Sequence, residues 1–231
     1  MKTIGLLGGM SWQSTITYYR LINQAVNEAL GGQHSAKTLL YSVDFAEIEA
    51  QQVHGKWDES AGVLSEAAQN LERAGADFLV ICTNTMHKVA PQIQAGLSIP
   101  VLHIAEATAK VLTAAGITTV GLLGTKYTMT EPFYRDKIAQ AGIAVVIPNA
   151  QDVERVNAII FEELCHGVVS EASRQEYVRI IGDLQGRGAQ GVILGCTEIG
   201  LLIRQADTDL PIFDTAQIHA MEAARYALSD I

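Results

Sequence analysis

Positive charge is scarce in this 231-residue chain, which has 16 lysines and arginines against 25 aspartates and glutamates and a formal net charge of −9 at pH 7. Proteins that bind nucleic acid or anionic membranes through their overall charge have the opposite balance, so neither partner is expected. Long apolar runs are also missing, since none reaches the roughly 20 residues that a membrane-spanning helix needs. The first residues, MKTIGLLGG, predict a core strand instead of a signal peptide.

Cysteine is rare as well, with three residues at wide spacing. An odd number of widely spaced cysteines makes neither a disulfide framework nor a zinc ribbon, so we predict a cytoplasmic protein without a metal site. The chain has no linker rich in proline, glycine or serine and no low-complexity segment. Its length suits one large domain or two small ones, with a buried core.

Short apolar runs alternate with amphipathic segments along the chain. The amphipathic segments have helical spacing, as at Val63, Leu64, Ala67 and Leu71. Strict alternation of strands and helices predicts an α/β fold with parallel sheets and helices on both faces. The predicted strands are 3–7, 38–43, 77–81, 99–104, 118–123, 143–147, 190–194 and 210–213.

The sequence also contains an internal repeat. Four landmarks of the first half recur in the same order and at a nearly constant offset in the second, which predicts two homologous halves of about four strands each. We place the first half at 1–98, completed by a C-terminal helix at 214–231, and the second at 99–213. The matched segments are 4–9 with 120–125, 17–20 with 132–135, 73–82 with 187–196, and 99–104 with 210–215.

Cys82 and Cys196 occupy equivalent strand ends in the two halves. Ligands of parallel sheets bind at the carboxyl ends of the strands, so a pseudo-dyad between the halves would make the two thiols face each other across one active-site cleft. Two facing thiols suit inversion at a stereocentre, because one removes a proton and the other returns a proton to the opposite face. Hydroxyls and backbone N–H groups just after each cysteine can bind an α-carboxylate.

The two cysteines differ in the residue two positions later. Asn84 follows Cys82, and Glu198 follows Cys196. A nearby carboxylate disfavours a thiolate, whereas an amide can donate a hydrogen bond to it. We therefore expect Cys82 to rest as the thiolate and Cys196 as the thiol.

Four motifs resemble those of the aspartate/glutamate racemase family: GLLGGMSW (5–12), CTNTMHK (82–88), LGTKYTM (123–129) and GCTEIG (195–200). The resemblance covers essentially the whole chain. It implies two flavodoxin-like halves, frequently a homodimer, and interconversion of the L and D forms of a small amino acid with no cofactor, pyridoxal phosphate or metal. The implied catalytic residues are Cys82 and Cys196. The implied substrate-binding residues are Met10, Ser11, Thr83, Asn84, Thr85, Thr125, Thr128, Thr197 and Glu198.

The chain departs from the family pattern after its second predicted strand. Strict acidic-amino-acid members place a basic residue there to hold the distal carboxylate, but residues 44–52 read DFAEIEAQQ. We predict that Gln51 contacts the substrate in its place. A glutamine cannot form a charge-assisted pair with a carboxylate, so the expected substrates extend from aspartate and glutamate to a broader polar set.

Other interpretations remain open. A maleate-type isomerase would also use a cysteine on this scaffold, a two-lobed metabolite-binding module would explain the polar loops, and a redox dithiol would explain two cysteines but needs them within disulfide distance. Cys165 is predicted to be structural. His87 is predicted to cap or support the loop after Cys82, without acting as a base. Lys88 and Lys126 are predicted to be solvated.

Overall fold

Eight parallel strands form the framework of the computed structural model, which describes residues 1–229. They make two four-stranded sheets with the orders β2-β1-β3-β4 and β6-β5-β7-β8, flanked by helices, which confirms the predicted α/β class. The strands are β1 Ile4–Gly8, β2 Thr38–Ser42, β3 Phe78–Ile81, β4 Val101–Leu102, β5 Thr119–Gly124, β6 Ala144–Val146, β7 Val192–Gly195 and β8 Ile212–Asp214.

Eleven α-helices are found in the same residues. Short 3-10 turns lie at Thr85–Val89, Leu164–His166 and Gln205–Asp207, and a π-helical turn lies at Ile159–Glu163. None of the helices within 1–229 is long and apolar enough to cross a membrane. The helices are α1 Trp12–Leu30, α2 Phe45–Val53, α3 Trp57–Arg73, α4 Ala90–Ala95, α5 Ile104–Ala114, α6 Lys126–Thr130, α7 Pro132–Ala139, α8 Ala150–Ala158, α9 Glu171–Gly186, α10 Ile199–Leu202 and α11 Thr215–Leu228.

The chain divides into two compact units, one of Met1–Ile104 with the segment from His219 onward, the other of Ala105–Ile218. The boundary expected at 98/99 falls before β4, which pairs with β3 in the first sheet. The boundary expected at 213/214 precedes α11, whose first turn stays with the second unit. Residues 230 and 231 of the predicted C-terminal helix lie outside the described residues.

The inner strands are apolar throughout because helices cover both faces. Every residue of β1 and β3 is buried. A parallel strand that is buried on both sides requires such a continuous apolar run, whereas edge strand β2 is exposed along its last three residues. Helix α3 packs on the first sheet with its buried side chains on one face at helical spacing, as the sequence predicts. These side chains are Ser60, Ala61, Leu64, Ala67, Ala68 and Leu71.

Buried tyrosines fix the register of the internal repeat. Matching TYYR (17–20) to PFYR (132–135) aligns Tyr19 with Tyr134, but Tyr19 is 53% exposed, whereas Tyr18 and Tyr134 are both 0% exposed. Tyr18 lies 2.9 Å from His219 Nδ1 on α11, and the Tyr134 hydroxyl donates to Thr108 Oγ1 on α5 at 3.4 Å. Tyr18 and Tyr134 are therefore the equivalent pair, and each contacts the helix that follows the last strand of the other sheet.

Glycine ends the central strand of the first sheet because α1 approaches it closely. A Cβ on Gly8 would lie 2.5 Å from Cγ2 and 2.6 Å from Oγ1 of Thr15. Gly9 has a φ of 94°, and a Cβ there would lie 2.3 Å from the carbonyl oxygen of Val43. The turn from β1 into α1 thus depends on two residues without side chains.

We expect Gly8→Ala to lower the free energy of unfolding by about 1–3 kcal/mol, because the added methyl group overpacks the contact with Thr15. Gly62→Ala is the matched control, since Gly62 lies within α3 with nothing within 4 Å of its Cβ position. It should raise stability by about 0.5–1 kcal/mol. Urea unfolding measures both, and equal effects of the two substitutions would contradict the close-packing argument.

Candidate active site

Cys82 directly follows β3, and the backbone around it is fixed by neighbouring elements. Its N–H donates to the carbonyl of Leu7 at 2.9 Å, and its own carbonyl accepts a hydrogen bond from Ser14 Oγ at 2.8 Å. Strand β1 and helix α1 therefore hold the residue from two sides. The thiol is buried, and Sγ lies 3.7 Å from the carbonyl oxygen of Val80.

Burial raises the pKa of the Cys82 thiol well above its ordinary value, because a buried thiolate loses its hydration. The contact from Sγ to the Val80 carbonyl also favours the protonated thiol, because a carbonyl oxygen only accepts and the sulfur must therefore donate. The expectation that Cys82 rests as a thiolate is therefore wrong for this conformation. The amide of Asn84 does not offset the loss of solvent.

The first loop lies beside Cys82. Ser11 caps α1, with its Oγ accepting a hydrogen bond from the N–H of Ser14 at 3.2 Å. Thr15 Oγ1 accepts from the N–H of Gly9 at 2.9 Å and donates to the carbonyl of Ser11 at 3.0 Å. Because Ser14 also contacts Cys82, the predicted residues Met10 and Ser11 belong to the same strand-end region as this cysteine.

The residues after Cys82 form a tight turn. The N–H of Thr83 donates to the carbonyl of Ile81 at 2.9 Å, and the 3-10 turn Thr85–Val89 begins two residues later. Asn84 and Thr85 are both buried. All three predicted polar residues therefore lie at the carboxyl end of β3, although the predicted helix start is a 3-10 turn instead.

In the second unit, Cys196 directly follows β7 and is 9% exposed. Its thiol donates to Glu198 Oε2 at 3.0 Å, and the hydroxyl of Thr197 donates to the same oxygen at 2.8 Å. Burial raises the pKa of the Cys196 thiol, and the negative charge and hydrogen bond of Glu198 raise it further. The expected thiol form of Cys196 agrees with this direction.

Thr125 and Thr128 lie at the same edge of the second sheet. Thr125 caps α6, with its Oγ1 accepting from the N–H of Thr128 at 3.3 Å. Thr128 packs against the strand ends, because a Cβ on Gly195 would lie 3.2 Å from its Cγ2. Since β5 pairs with β7, these two threonines and Cys196 share one region of the unit.

Gln51 lies elsewhere in the first unit, on α2, where its side chain faces α3. Its Oε1 accepts a hydrogen bond from Ser60 Oγ at 2.7 Å. It lines a surface groove of about 490 Å³ together with Glu47, Ala50, His54, Lys56 and Glu59. Lys56 lies just beyond 44–52 and is not among the predicted site residues. Its ammonium group pairs with Glu59 at 2.9 Å. The neighbouring residue, Gln52, donates to Met86 Sδ at 2.9 Å, beneath the loop after Cys82.

Hydrogen-bond partners determine which ring nitrogen carries the proton in two histidines of the first unit, His87 and His219. The N–H of Ile104 donates to His87 Nε2 at 3.2 Å, so the other nitrogen, Nδ1, carries the proton and donates to the carbonyl of Thr83 at 2.7 Å. His219 Nε2 lies 2.8 Å from the carbonyl of Leu102 and must donate to it, so its Nδ1 accepts from the Tyr18 hydroxyl. The sequence identified His87 as a supporting residue but gave no sign of His219.

The remaining candidates are two lysines and the third cysteine. The Lys88 ammonium lies 3.7 Å from the centroid of the Trp57 ring, and Lys126 pairs with Glu154 at 2.5 Å. Cys165 lies in the 3-10 turn Leu164–His166, is half-buried, and is close enough to Cys196 to help raise the pKa of that thiol. Between residues 1 and 229, no group of three or more histidine, cysteine, aspartate or glutamate side chains is arranged to hold a metal ion.

We expect Glu198→Gln to lower the pKa of Cys196, because the substitution removes a negative charge and a proton acceptor beside the thiol. The thiolate fraction at a fixed pH rises about tenfold for each unit by which the pKa falls. Iodoacetamide should therefore label Cys196 faster at pH 8, as measured by peptide mass spectrometry, while labelling of Cys82 stays unchanged. Glu176→Gln, which removes a surface carboxylate paired with Arg179, is the control. Unchanged labelling of Cys196 in Glu198→Gln would show that Glu198 does not control this thiol.

We also expect acid to destabilise the first unit through His219. Burial lowers the pKa of His219 from 6.5 to about 4. Between these values the unfolded chain binds a proton that the folded chain does not, so the stabilisation is complete above pH 6.5 and is lost as the pH falls towards 4. The loss is about 3 kcal/mol. His219→Gln should flatten this part of a pH series of urea unfolding curves, and an unchanged slope would contradict the assignment.

Comparison with known proteins agrees with the fold and the motifs. A family model described as Asp/Glu/Hydantoin racemase matches residues 7–223. The broad specificity amino-acid racemase RacX of Bacillus subtilis (strain 168) is 25% identical over 218 residues, 92% of each chain. A crystal structure of a Yersinia pestis protein, proposed to be an Asp/Glu racemase, has 55% identity and a TM-score of 0.94, covering 99% of this chain and 100% of that one.

A second crystal structure, of an aspartate racemase homologue from Pyrococcus horikoshii OT3, has 36% identity and a TM-score of 0.86. The similarity covers 98% of this chain and 99% of that chain. These matches extend over both sheets and both cysteine motifs, which confirms the resemblance seen in the sequence. The protein therefore belongs to the Asp/Glu/hydantoin racemase family and is a racemase enzyme.

Proposed function

We propose that the protein racemises small polar α-amino acids without a cofactor, by proton transfer between Cys82 and Cys196. The observation that carries this proposal is the equivalence of the two cysteines within their sheets. Each directly follows the strand next to the central one, β3 beside β1 and β7 beside β5, and each is buried and followed by threonine. A core cysteine with a purely structural role gives no reason for this duplication.

The proposed reaction needs one thiolate and one thiol. The thiolate removes the α-proton and becomes a thiol, the electron pair stays on the substrate as a carbanion stabilised by its carboxylate, and the opposite thiol donates its proton to the other face. Each turnover therefore exchanges the protonation states of the two cysteines. In this proposal the substrate is held by Met10, Ser11 and the polar residues that follow each cysteine and each central strand.

Because the pKa of both thiols is raised, substrate binding must also help to generate the thiolate that the reaction needs. The substrate brings an α-ammonium group, and a positive charge close to a buried thiol favours the thiolate. Glu198 already accepts a hydrogen bond from the thiol of Cys196. We infer that Glu198 takes up this proton when the substrate binds, which leaves Cys196 as the first base for one enantiomer.

For the side-chain specificity, we propose a range of polar amino acids that includes aspartate and glutamate. The relative from B. subtilis is named a broad specificity racemase. Gln51 forms a hydrogen bond with Ser60, and the nearby Lys56 pairs with Glu59. Both side chains already have a partner within the protein, so neither is reserved for a distal carboxylate of the substrate. A neutral polar side chain is then accepted at little cost.

The test is proton NMR in D₂O with purified protein and no added cofactor, against L-aspartate, L-glutamate, L-asparagine and L-homoserine. We expect loss of the α-proton signal with at least one of them. Cys82→Ser and Cys196→Ser should each lower the racemisation rate by about 10³-fold, because each removes one of the two acid–base groups.

Cys165→Ser is the matched control, since Cys165 lies near Cys196 without a counterpart in the repeat, and its removal should change the rate far less than either active-site substitution. Exchange that survives in both active-site variants would overturn the two-cysteine mechanism. A covalent adduct with a maleate-like diacid, seen by mass spectrometry, would favour an isomerase instead. Absence of exchange with every amino acid and of any adduct would favour the binding module.

We also propose that the protein is a cytoplasmic homodimer, as its sequence and family resemblance predict. Light scattering coupled to size-exclusion chromatography measures the mass directly. A mass equal to one chain of 24.9 kDa would contradict the dimer. Neither property bears on the chemistry proposed above.

A further inference from the structure

His87 lies close to Cys82 but has no task in the proton transfers proposed above. It is 1% exposed, on the 3-10 turn Thr85–Val89. Its Nδ1–H donates to the carbonyl of Thr83, and its Nε2 accepts from the N–H of Ile104. The imidazole therefore connects the residue just after the cysteine to the first residue of α5.

The contact of His87 with Thr83 completes a continuous set of hydrogen bonds along the backbone. The N–H of Cys82 donates to Leu7, its carbonyl accepts from Ser14, and the N–H of Thr83 donates to Ile81. The fourth group in this run is the carbonyl of Thr83. His87 supplies its hydrogen bond at 2.7 Å, so this end of the two-residue segment is fixed by an ionisable side chain.

We propose that His87 is a positioning residue which, by holding the Thr83 carbonyl, fixes the direction in which the Cys82 thiol meets the substrate. The inference rests on the two-cysteine function proposed above. Proton transfer is sensitive to such placement, since a displacement of about 1 Å can cost about 10²-fold in rate.

The imidazole makes both of its hydrogen bonds only in the neutral form, because a proton on Nε2 would remove the acceptor for the N–H of Ile104, and its surroundings keep it neutral. Its ring centroid lies 4.6 Å from that of His103 and 5.7 Å from that of His219. Burial lowers the pKa of His87 well below its ordinary value, and positive charge on either neighbouring histidine would lower it further. Both hydrogen bonds of His87 are therefore kept across the neutral pH range.

The second unit has no such residue. Position 201 corresponds to His87 in the repeat, and Leu201 is 52% exposed. The loop after Cys196 is held instead by the carboxylate of Glu198, which accepts from Thr197 and Cys196. Loss of His87 should therefore impair the proton transfers at Cys82 and leave the thiol of Cys196 as it is.

Two substitutions test the two hydrogen bonds of His87 one at a time, because each keeps one bond and removes the other. In His87→Asn, the amide nitrogen replaces Nδ1 and keeps the donor to Thr83 while the contact with Ile104 is lost. In His87→Gln, the amide oxygen reaches the place of Nε2 and keeps the acceptor for Ile104 while the donor to Thr83 is lost. We expect kcat within about threefold of wild type for the first and a loss of about 10- to 100-fold for the second, with KM little changed.

Isotope effects give a measurement that simple destabilisation would not alter. The α-deuterium effect on kcat/KM is measured for the L and the D form of an amino acid that the wild type racemises. If the step at Cys82 slows, the effect should rise for the enantiomer that Cys82 deprotonates and fall for the other one. His87→Gln should show this opposite change, and His87→Asn should not.

His219→Gln is the control for the histidine cluster. His219 packs beside the His87 ring, but its hydrogen bonds go to Leu102 and Tyr18, so this variant should lose thermal stability without changing the ratio of the two isotope effects. The proposal is overturned if His87→Gln leaves the ratio unchanged or if His87→Asn shifts it. If His87→Gln fails to fold, His87→Asn still tests the proposal, because a shifted ratio in this variant would overturn it. Absence of racemisation by the wild type would refute the proposed function instead.

Discussion

Close packing of a threonine against the carboxyl end of a central strand is the contact on which the rest of the candidate site depends. Thr15 occupies the space above Gly8, and Thr128 occupies the space beside Gly124 and Gly195. Because these glycines have no side chains, a helix can begin directly over the strand ends. In the first unit the same helix then places Ser14 on the carbonyl of Cys82. The Cys82 thiol is buried in this packed region, and burial raises its pKa.

Much of this arrangement could be predicted from the sequence. The strands follow from continuous apolar runs, because a parallel strand covered on both faces leaves no choice of residue type. The equivalence of Cys82 and Cys196 follows from the repeat, since both end the same strand of a unit. The protonation state of Cys82 could not be predicted, because Asn84 indicates a hydrogen-bond donor but not whether water reaches the sulfur. Burial, a property of the folded chain, decides it.

Other features could not be predicted from the sequence for equally physical reasons. The two tyrosines of TYYR differ only in which side of α1 they occupy, so one position in the alignment decides which of them is buried, and the helix resolves it. The role of His219 could not be predicted because its partners, Tyr18 and Leu102, are distant in sequence. The position of Lys56 beside Gln51 could not be predicted because it depends on the short turn between α2 and α3. Contacts made by tertiary structure leave no periodic pattern to detect.

The division of the chain has a consequence for how such a protein can arise and be dissected. Helix α5 follows the first sheet, but all of it except Ile104 belongs to the second unit. Helix α11 follows the second sheet, but most of it belongs to the first unit. A single repeat, made as a separate chain, would therefore lack its covering helix unless a second copy lent its own. Duplication and fusion of an ancestral repeat that exchanged helices with its twin would give this connectivity directly. By the same reasoning, we expect two fragments that divide the chain between its two repeats to fold by complementing each other.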